Sequence, residues 1–129
     1  LAGDGSLIMT CQELATAVRH EVPIKVFLMN NGYFGMVRQW QELFWEGRYS
    51  AVEMGPSPDW AKLADAFGAK GMRVDDAGEV EASMREALAT EGPVLLDVHV
   101  SQAENCYPMI PAGSAARDMV GGPEPAPKG

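Results

Sequence analysis

The sequence predicts an α/β fold, an incomplete parallel sheet with flanking helices. Three observations carry that prediction. Short apolar runs, IKVFLM (24–29), KGMRV (70–74) and PVLLDVHV (93–100), alternate with segments of helical periodicity, the pattern of strand–helix–strand units. Two corners, GDGS (3–6) and NNGYFG (30–35), each follow a strand or the stub of one and open a helix. Three strands plus the stub at Leu1 and Ala2 make a small sheet with exposed edges, the look of part of a larger architecture.

Each element has its own reason. Thr10-Cys-Gln-Glu13 has the form of a capping box, in which two side chains satisfy orphan N–H groups. It leads into Leu14, Ala17 and Val18 at helical spacing, a helix expected to end near His20 and Pro23. Ile24 to Met29 reads as a strand buried on both faces, with Lys25 its only polar residue. A helix follows from about Phe34 to Phe44, with Met36, Val37, Trp40, Leu43 and Phe44 on one stripe. EMGPSPD (53–59) is a loop by its glycine and prolines. Asp59 caps the next helix, WAKLADAFG, which stops at Gly68. After the strand KGMRV comes an amphipathic helix over 77–92 that turns Val80, Met84 and Leu88 inward. The third strand, PVLLDVHV, leads to a tail from Ser101 onward with Pro108, Pro111, Pro123, Pro125 and Pro127, irregular and loose at its end.

Composition narrows the function. The 129 residues suit one domain with a real core. A net charge of −8 argues against a nucleic-acid surface, which needs clustered lysine and arginine. No apolar stretch approaches the roughly 20 residues that span a bilayer. No export signal opens the chain. Cys11 and Cys106 stand apart without metal spacing, which suits a reducing, cytoplasmic setting. Both read as small buried or half-buried hydrophobes. His20 and His99 lack an evident partner in sequence, and Glu79, Glu81 and Glu86 read as a solvated helix face.

In a parallel sheet ligands bind at the carboxyl ends of the strands, which puts both corners on one edge. Asp4 offers an anionic oxygen and Asn31 a neutral amide oxygen. Few oxygen ligands are what Mg²⁺ takes when it also keeps water and substrate phosphates. Glycines at 3 and 5 let backbone N–H groups approach a diphosphate. Simple chain reversal is the competing reading of both corners. Neither a dinucleotide fingerprint nor a P-loop is present, since Ile8 stands where the third glycine would be and Gly-Lys-Ser/Thr is absent. Met36 and Trp40 at i, i+4 read as an apolar stripe, with core packing as the plain alternative. Arg38 and Arg48 read as solvated charges rather than as carboxylate ligands.

GDGS separated by a helix and a strand from Asn30-Asn31 resembles the diphosphate signature of thiamine diphosphate enzymes. The words GMVRQWQ, ELFWEGRYS and YPMIPAG narrow the resemblance to the C-terminal part of the catalytic subunit of acetohydroxyacid synthase (acetolactate synthase). It runs from Gly3 to about Gly122. It implies a thiamine diphosphate-binding fold, with 1–100 as the C-terminal portion of the diphosphate- and Mg²⁺-binding α/β domain and 101–129 as an irregular tail. It implies Asp4, Asn31 and the Tyr33 carbonyl as Mg²⁺ ligands. It gives Gly3, Asp4, Gly5, Ser6, Asn31, Tyr33, Gly35 and Met36 to the cofactor site, with N–H groups of Gly5 and Ser6 on the diphosphate. Met36 and Trp40 would shape the pocket for the second 2-ketoacid.

The activity implied is a carboligase transfer: pyruvate loses CO₂ and joins a second 2-ketoacid, pyruvate or 2-ketobutyrate. The products are 2-acetolactate or 2-aceto-2-hydroxybutyrate, in branched-chain amino-acid biosynthesis. The resemblance also implies homo-oligomers of the full subunit, a regulatory subunit as a further candidate partner, and FAD in the parent enzyme outside this segment. The family's activating glutamate lies in a separate domain of a neighbouring subunit and matches no residue here, so no catalytic residue is expected in this segment. The expectation is a chain that starts inside a domain and forms no acetolactate alone. Two other readings stay open: a non-catalytic diphosphate-binding module, and a related 2-ketoacid decarboxylase.

Overall fold

The computed structural model describes residues 1–121. Along the chain run β1 (Ala2–Gly3), α1 (Asp4–Leu7), α2 (Glu13–Arg19), β2 (Lys25–Asn30), α3 (Gly35–Phe44), α4 (Trp60–Phe67), β3 (Lys70–Val74), α5 (Val80–Ala89) and β4 (Val94–His99). The strands form one four-stranded parallel sheet in the order β1-β2-β4-β3. β4 lies between two neighbours and buries every residue from Val94 to Val98, Asp97 included, as a central strand of a parallel sheet does.

Each face of the sheet carries its own core. Leu28 and Leu95 pack with Leu7, Leu14, Trp60, Ala64 and Ala69 on one face. Leu96, Val98 and Val74 pack with Phe27, Met29, Met72 and Val80 on the other. Trp60 is fully buried and its indole N–H donates to Ser57 Oγ at 3.0 Å, which satisfies the one polar atom an indole brings inside.

Helix α4 and strand β3 have the predicted bounds. Asp59 is the N-cap, accepting from the Lys62 amide at 3.0 Å, and Gly68 closes the helix in a left-handed turn. The Lys62 ammonium, 2.9 Å from Asp59 Oδ2, is the larger cause holding this carboxyl below its usual value, with the amide bond second. A carboxyl depressed by folding stabilises fully above its unfolded pKa and loses that contribution as pH falls through its folded pKa. The Asp59→Ala variant is therefore expected to melt below wild type at neutral pH, with the deficit vanishing in acid. Thermal melts across pH check it, and a deficit independent of pH would exclude this cap as the cause.

Four expectations are corrected. The capping box at Thr10–Glu13 does not form, and α2 starts after Gln12 with no side-chain cap bond. The amides of Glu13, Leu14 and Ala15 already donate to the carbonyls of Thr10, Cys11 and Gln12 at 3.0–3.1 Å. The turns running on from α1 leave no orphan donor for a cap to serve.

β2 is shifted by one residue from the predicted run, and only Leu28 and Asn30 are buried. Its Lys25 ammonium reaches the carbonyls of Thr90 and Gly92 just past α5, where a cation satisfies orphan acceptors. In α5 the inward residues are Val80, Ser83 and Ala87, whereas Met84 and Leu88 are exposed. The small Ala87, fully buried, lets that stripe lie against the sheet. Cys11 is half-buried against the first core, but Cys106 is exposed.

Beyond Ser101 the described tail has one 3₁₀ turn (Ala116–Asp118) and a two-bond bridge between Met109 and Val120. Pro123, Pro125, Pro127 and the expected loose end lie outside the described residues. Among the described residues no helix is long and apolar enough to cross a membrane.

Candidate cofactor site

The two corners meet. β1 pairs in register with Leu28 and Met29, so the chain leaves β1 at Asp4 beside the end of β2. Asp4 is only 2% exposed. Its Oδ1 accepts from the Gly5 N–H at 2.9 Å and its Oδ2 from the Gly32 N–H at 2.7 Å. One carboxylate thus ties the first corner to the second across 28 residues. Among the described residues no lysine, arginine or histidine nitrogen forms an ion pair with it. A buried carboxylate without a counter-charge is costly, and a bound cation would relieve that cost.

Other donors fit the same need. Asn31 Oδ1 accepts from the Tyr33 N–H at 3.0 Å, which fixes the amide oxygen as an acceptor with a second lone pair to spare. Among the described residues the Tyr33 carbonyl receives no hydrogen bond. Nor do three or more His, Cys, Asp or Glu side chains among them converge in an arrangement that could hold a metal ion. The donor set is one carboxylate plus neutral oxygens, a hard-cation set that leaves positions for water and phosphate.

Around these atoms lies a cavity of about 360 Å³, lined by Gly3, Asp4, Gly5, Ser6, Met9, Met29, Asn31, Tyr33, Phe34, Gly35, Met36, Val37 and Val100. Every residue named for the cofactor from the sequence is in that lining. A Cβ on Gly5 would fall 2.9 Å from Phe34 Cδ1, whereas one on Gly3 would meet nothing within 4 Å and would project into open space. The Gly5 N–H, the group expected on a diphosphate, donates to Asp4 Oδ1, the carboxylate folding back on its own helix turn. The Ser6 N–H has no acceptor among the described residues. Asp4 is the only acidic residue of the lining.

Met36 and Val37 also line a second cavity of about 550 Å³ with Trp40, Gln41, Trp45, Arg48 and Ser50. Met36, Val37 and Trp40 of the α3 stripe are therefore cavity wall and not core. Met36 is 53% exposed and Trp40 41%. The residue that α3 buries is Gln39, whose amide donates to the Cys106 carbonyl and accepts the Cys106 N–H, both at 2.9 Å. Gln41 grips the Ser50 peptide the same way, at 3.1 and 2.8 Å.

Arg38 is not a free charge. It lies over the rings of Tyr33 and Tyr49, 5.5 and 4.9 Å from their centroids, and pairs with Glu42 at 3.2 Å. Arg48 is exposed, its Nε donating to the Trp45 carbonyl at 3.2 Å. His20 is on the surface. His99 does have partners, Asp97 and Asp75, each at 3.3 Å. Sequence reasoning passed over Asp97, although an aspartate inside the apolar run PVLLDVHV was a visible signal.

A family model described as "Thiamine pyrophosphate enzyme, C-terminal TPP binding domain" matches residues 1–98. The chain is 44% identical over 124 residues to an acetolactate synthase large subunit of Parasynechococcus marenigrum, covering 95% of this chain and 20% of that protein. It is 41% identical over 120 residues to the large subunit of acetolactate synthase isozyme 2 of Escherichia coli, covering 93% of this chain and 22% of that one. It thus spans about one fifth of the length of these relatives. Among solved structures, a thiamine diphosphate-dependent 4-hydroxybenzoylformate decarboxylase of Rhodococcus jostii superposes with a TM-score of 0.71 at 27% identity, covering 77% of this chain and 19% of that one. With the family match covering both corners and the sheet up to Val98, the chain belongs to the C-terminal TPP-binding domains of the thiamine pyrophosphate enzymes.

Proposed function

We propose that this chain is the metal- and diphosphate-holding part of a thiamine diphosphate-dependent acetolactate synthase. The parent enzyme condenses pyruvate with pyruvate or 2-ketobutyrate, with loss of CO₂, to 2-acetolactate or 2-aceto-2-hydroxybutyrate. The observation that carries it is the buried Asp4 carboxylate, joined to the second corner through Gly32 and left without a counter-charge among the described residues. In this reading Asp4, Asn31 Oδ1 and the Tyr33 carbonyl hold Mg²⁺, and the metal holds the diphosphate. The Ser6 N–H and the open space at Gly3 receive phosphate oxygens, and Gly35 and Met36 lie against the cofactor. Met36, shared by both cavities, separates the cofactor from the pocket that Trp40 shapes for the second 2-ketoacid. When bound, thiamine diphosphate supplies the electron sink that decarboxylation of a 2-ketoacid needs. The residues here orient it and exclude water.

The activating acid comes from elsewhere, since the lining has no carboxylate besides Asp4. Homo-oligomeric assembly, FAD in another part of the enzyme, a regulatory subunit and a cytoplasmic site of action belong to the same proposal. The 41–44% identity to synthases, against 27% to the decarboxylase structure, supports carboligation over simple decarboxylation. Calorimetric titration of the chain with thiamine diphosphate is expected to give binding with Mg²⁺ and none with EDTA. Supplied with pyruvate the chain alone is expected to form no acetolactate, while the complete enzyme forms acetolactate rather than acetaldehyde. Metal-independent binding would remove the Asp4 site from the reading, and acetaldehyde as the main product would replace synthase by decarboxylase.

A further inference from the structure

Asp97 is a buried charge for which the cofactor site, taken alone, has no use. It interrupts an otherwise apolar stretch of β4 and is 2% exposed. Its Oδ1 accepts from Asn30 Nδ2 at 2.9 Å, and its Oδ2 lies 3.3 Å from His99 Nε2. His99 Nε2 is also 3.3 Å from Asn30 Nδ2, and its Nδ1 is 3.3 Å from Asp75 Oδ1. Asp75 is gripped by Arg73, with Nε donating to Oδ2 and Nη2 to Oδ1, both at 2.9 Å. A row of polar side chains therefore crosses the carboxyl ends of β3, β4 and β2 in that order.

The row ends one residue from Asn31. Asn30 is held twice, by Asp97 through its side chain and by the Val100 N–H, which donates to its carbonyl at 3.0 Å. Successive strand residues point to opposite faces. Asn30 turns toward Asp97 and His99, while Asn31 lines the cofactor cavity with Met29. Beyond Asn31 the backbone swings to φ +72° at Gly32. Asn31 is thus the one link between an anchored strand end and a turn whose direction the strand end must set.

We propose that Asp97 is a positioning residue that, with His99, fixes Asn30 and so sets the direction in which Asn31 presents its amide oxygen. The proposal rests on the reading of Asn31 as a metal ligand only for its functional consequence; the positioning itself is tested without cofactor. Outer partners that orient metal ligands typically change affinity 10- to 100-fold when removed. A plain stabilising role would instead lower stability without a specific effect at the turn.

Two readouts on the full chain separate these. One is amide exchange at Tyr33, whose N–H donates to Asn31 Oδ1, measured by NMR without cofactor. The other is Mg²⁺-dependent thiamine diphosphate affinity by calorimetry. Asp97→Ala is expected to speed exchange at Tyr33 and weaken binding, each by about tenfold. Asp97→Asn, which keeps an acceptor for Asn30, restores most of both. Val98→Ala, the next residue on the opposite face, lowers the melting temperature and leaves both readouts in place. Where Asp97→Ala does not fold, His99→Ala removes the next link from a half-exposed position and is expected to move both readouts the same way.

The proposal is overturned if Tyr33 exchange is unchanged in the folded variant. It is equally overturned if Val98→Ala matches the effect or if Asp97→Asn fails to restore it. A wild-type chain with the expected Tyr33 exchange pattern but no affinity for thiamine diphosphate would refute the cofactor reading and leave the positioning role standing.

Discussion

Replacing Asp4 by asparagine is expected to remove most of the Mg²⁺-dependent stabilisation of this chain by thiamine diphosphate while leaving the unliganded chain folded. The substitution changes no volume and removes one charge. With ligand at 100 times its Kd, binding raises wild-type stability by about 2.7 kcal/mol. The variant takes the only negative charge out of a donor set whose other members, Asn31 Oδ1 and the Tyr33 carbonyl, are neutral, which weakens its hold on a divalent cation. A 100-fold loss of affinity reduces the gain to about 0.4 kcal/mol at the same concentration. In the unliganded chain two effects oppose each other. The asparagine oxygen can serve only one of the two N–H groups now on Asp4 (Gly5 at 2.9 Å, Gly32 at 2.7 Å) as well as the carboxylate does. Against that loss, a buried charge without a counter-ion disappears. Thermal unfolding of both proteins, with and without cofactor and Mg²⁺, separates the contributions. A cofactor shift of wild-type size in Asp4→Asn would remove Asp4 from the metal site.

Local chemistry was legible in the sequence wherever one stretch of chain decided it. Asp59 and Gly68 bound α4 because a cap and a left-handed stop act on their own helix. GDGS and Asn30-Asn31 were legible as one site because parallel-sheet topology brings successive strand ends to the same edge. The capping box failed through what precedes it: Thr10, Cys11 and Gln12 already belong to turns running on from α1. The inward face of α5 was misjudged because helical spacing alone fits either stripe, and the small Ala87 decides which one meets the sheet.

The polar framework of the site was hidden for a different reason. Asp97 meets Asn30 across 67 residues, and Gln39 meets Cys106 across the same separation. No periodicity marks such pairs. Only their types hint at them: an aspartate in an apolar strand, and two glutamines flanking Trp40. His99 read as bland because one partner, Asp75, becomes its neighbour only when β3 and β4 align. The other, Asp97, stands two residues away on the same face of β4 and was legible only once that aspartate was noticed.

Gly71→Ala is expected to be the most destabilising single-methyl change in the chain. A Cβ at Gly71 would lie 2.0 Å from the Ala61 carbonyl oxygen, 2.6 Å from its carbon and 2.7 Å from its Cα. These are backbone atoms of α4, so no rotamer relieves the clash and the helix itself must move. On its inner face α4 carries Trp60 and Ala64, both fully buried, and the fully buried Leu28 and Leu95 pack in the same core. Lifting the helix also strains the bond from the Gly71 N–H to Asp65 Oδ1 at 2.9 Å. Overpacking of a close-packed core costs about 1–3 kcal/mol when side chains can yield. Here they cannot, and a loss of at least about 3 kcal/mol is expected, a large share of the roughly 5–15 kcal/mol that holds a domain together. Gly3→Ala adds the same methyl at φ −90°, with nothing within 4 Å of the new carbon. It is expected to fold as wild type and to bind thiamine diphosphate less tightly, because its methyl occupies the space assigned to phosphate. Urea unfolding of both variants beside wild type decides the point. A Gly71→Ala midpoint equal to wild type would mean that α4 does not press on β3 as closely as these distances require.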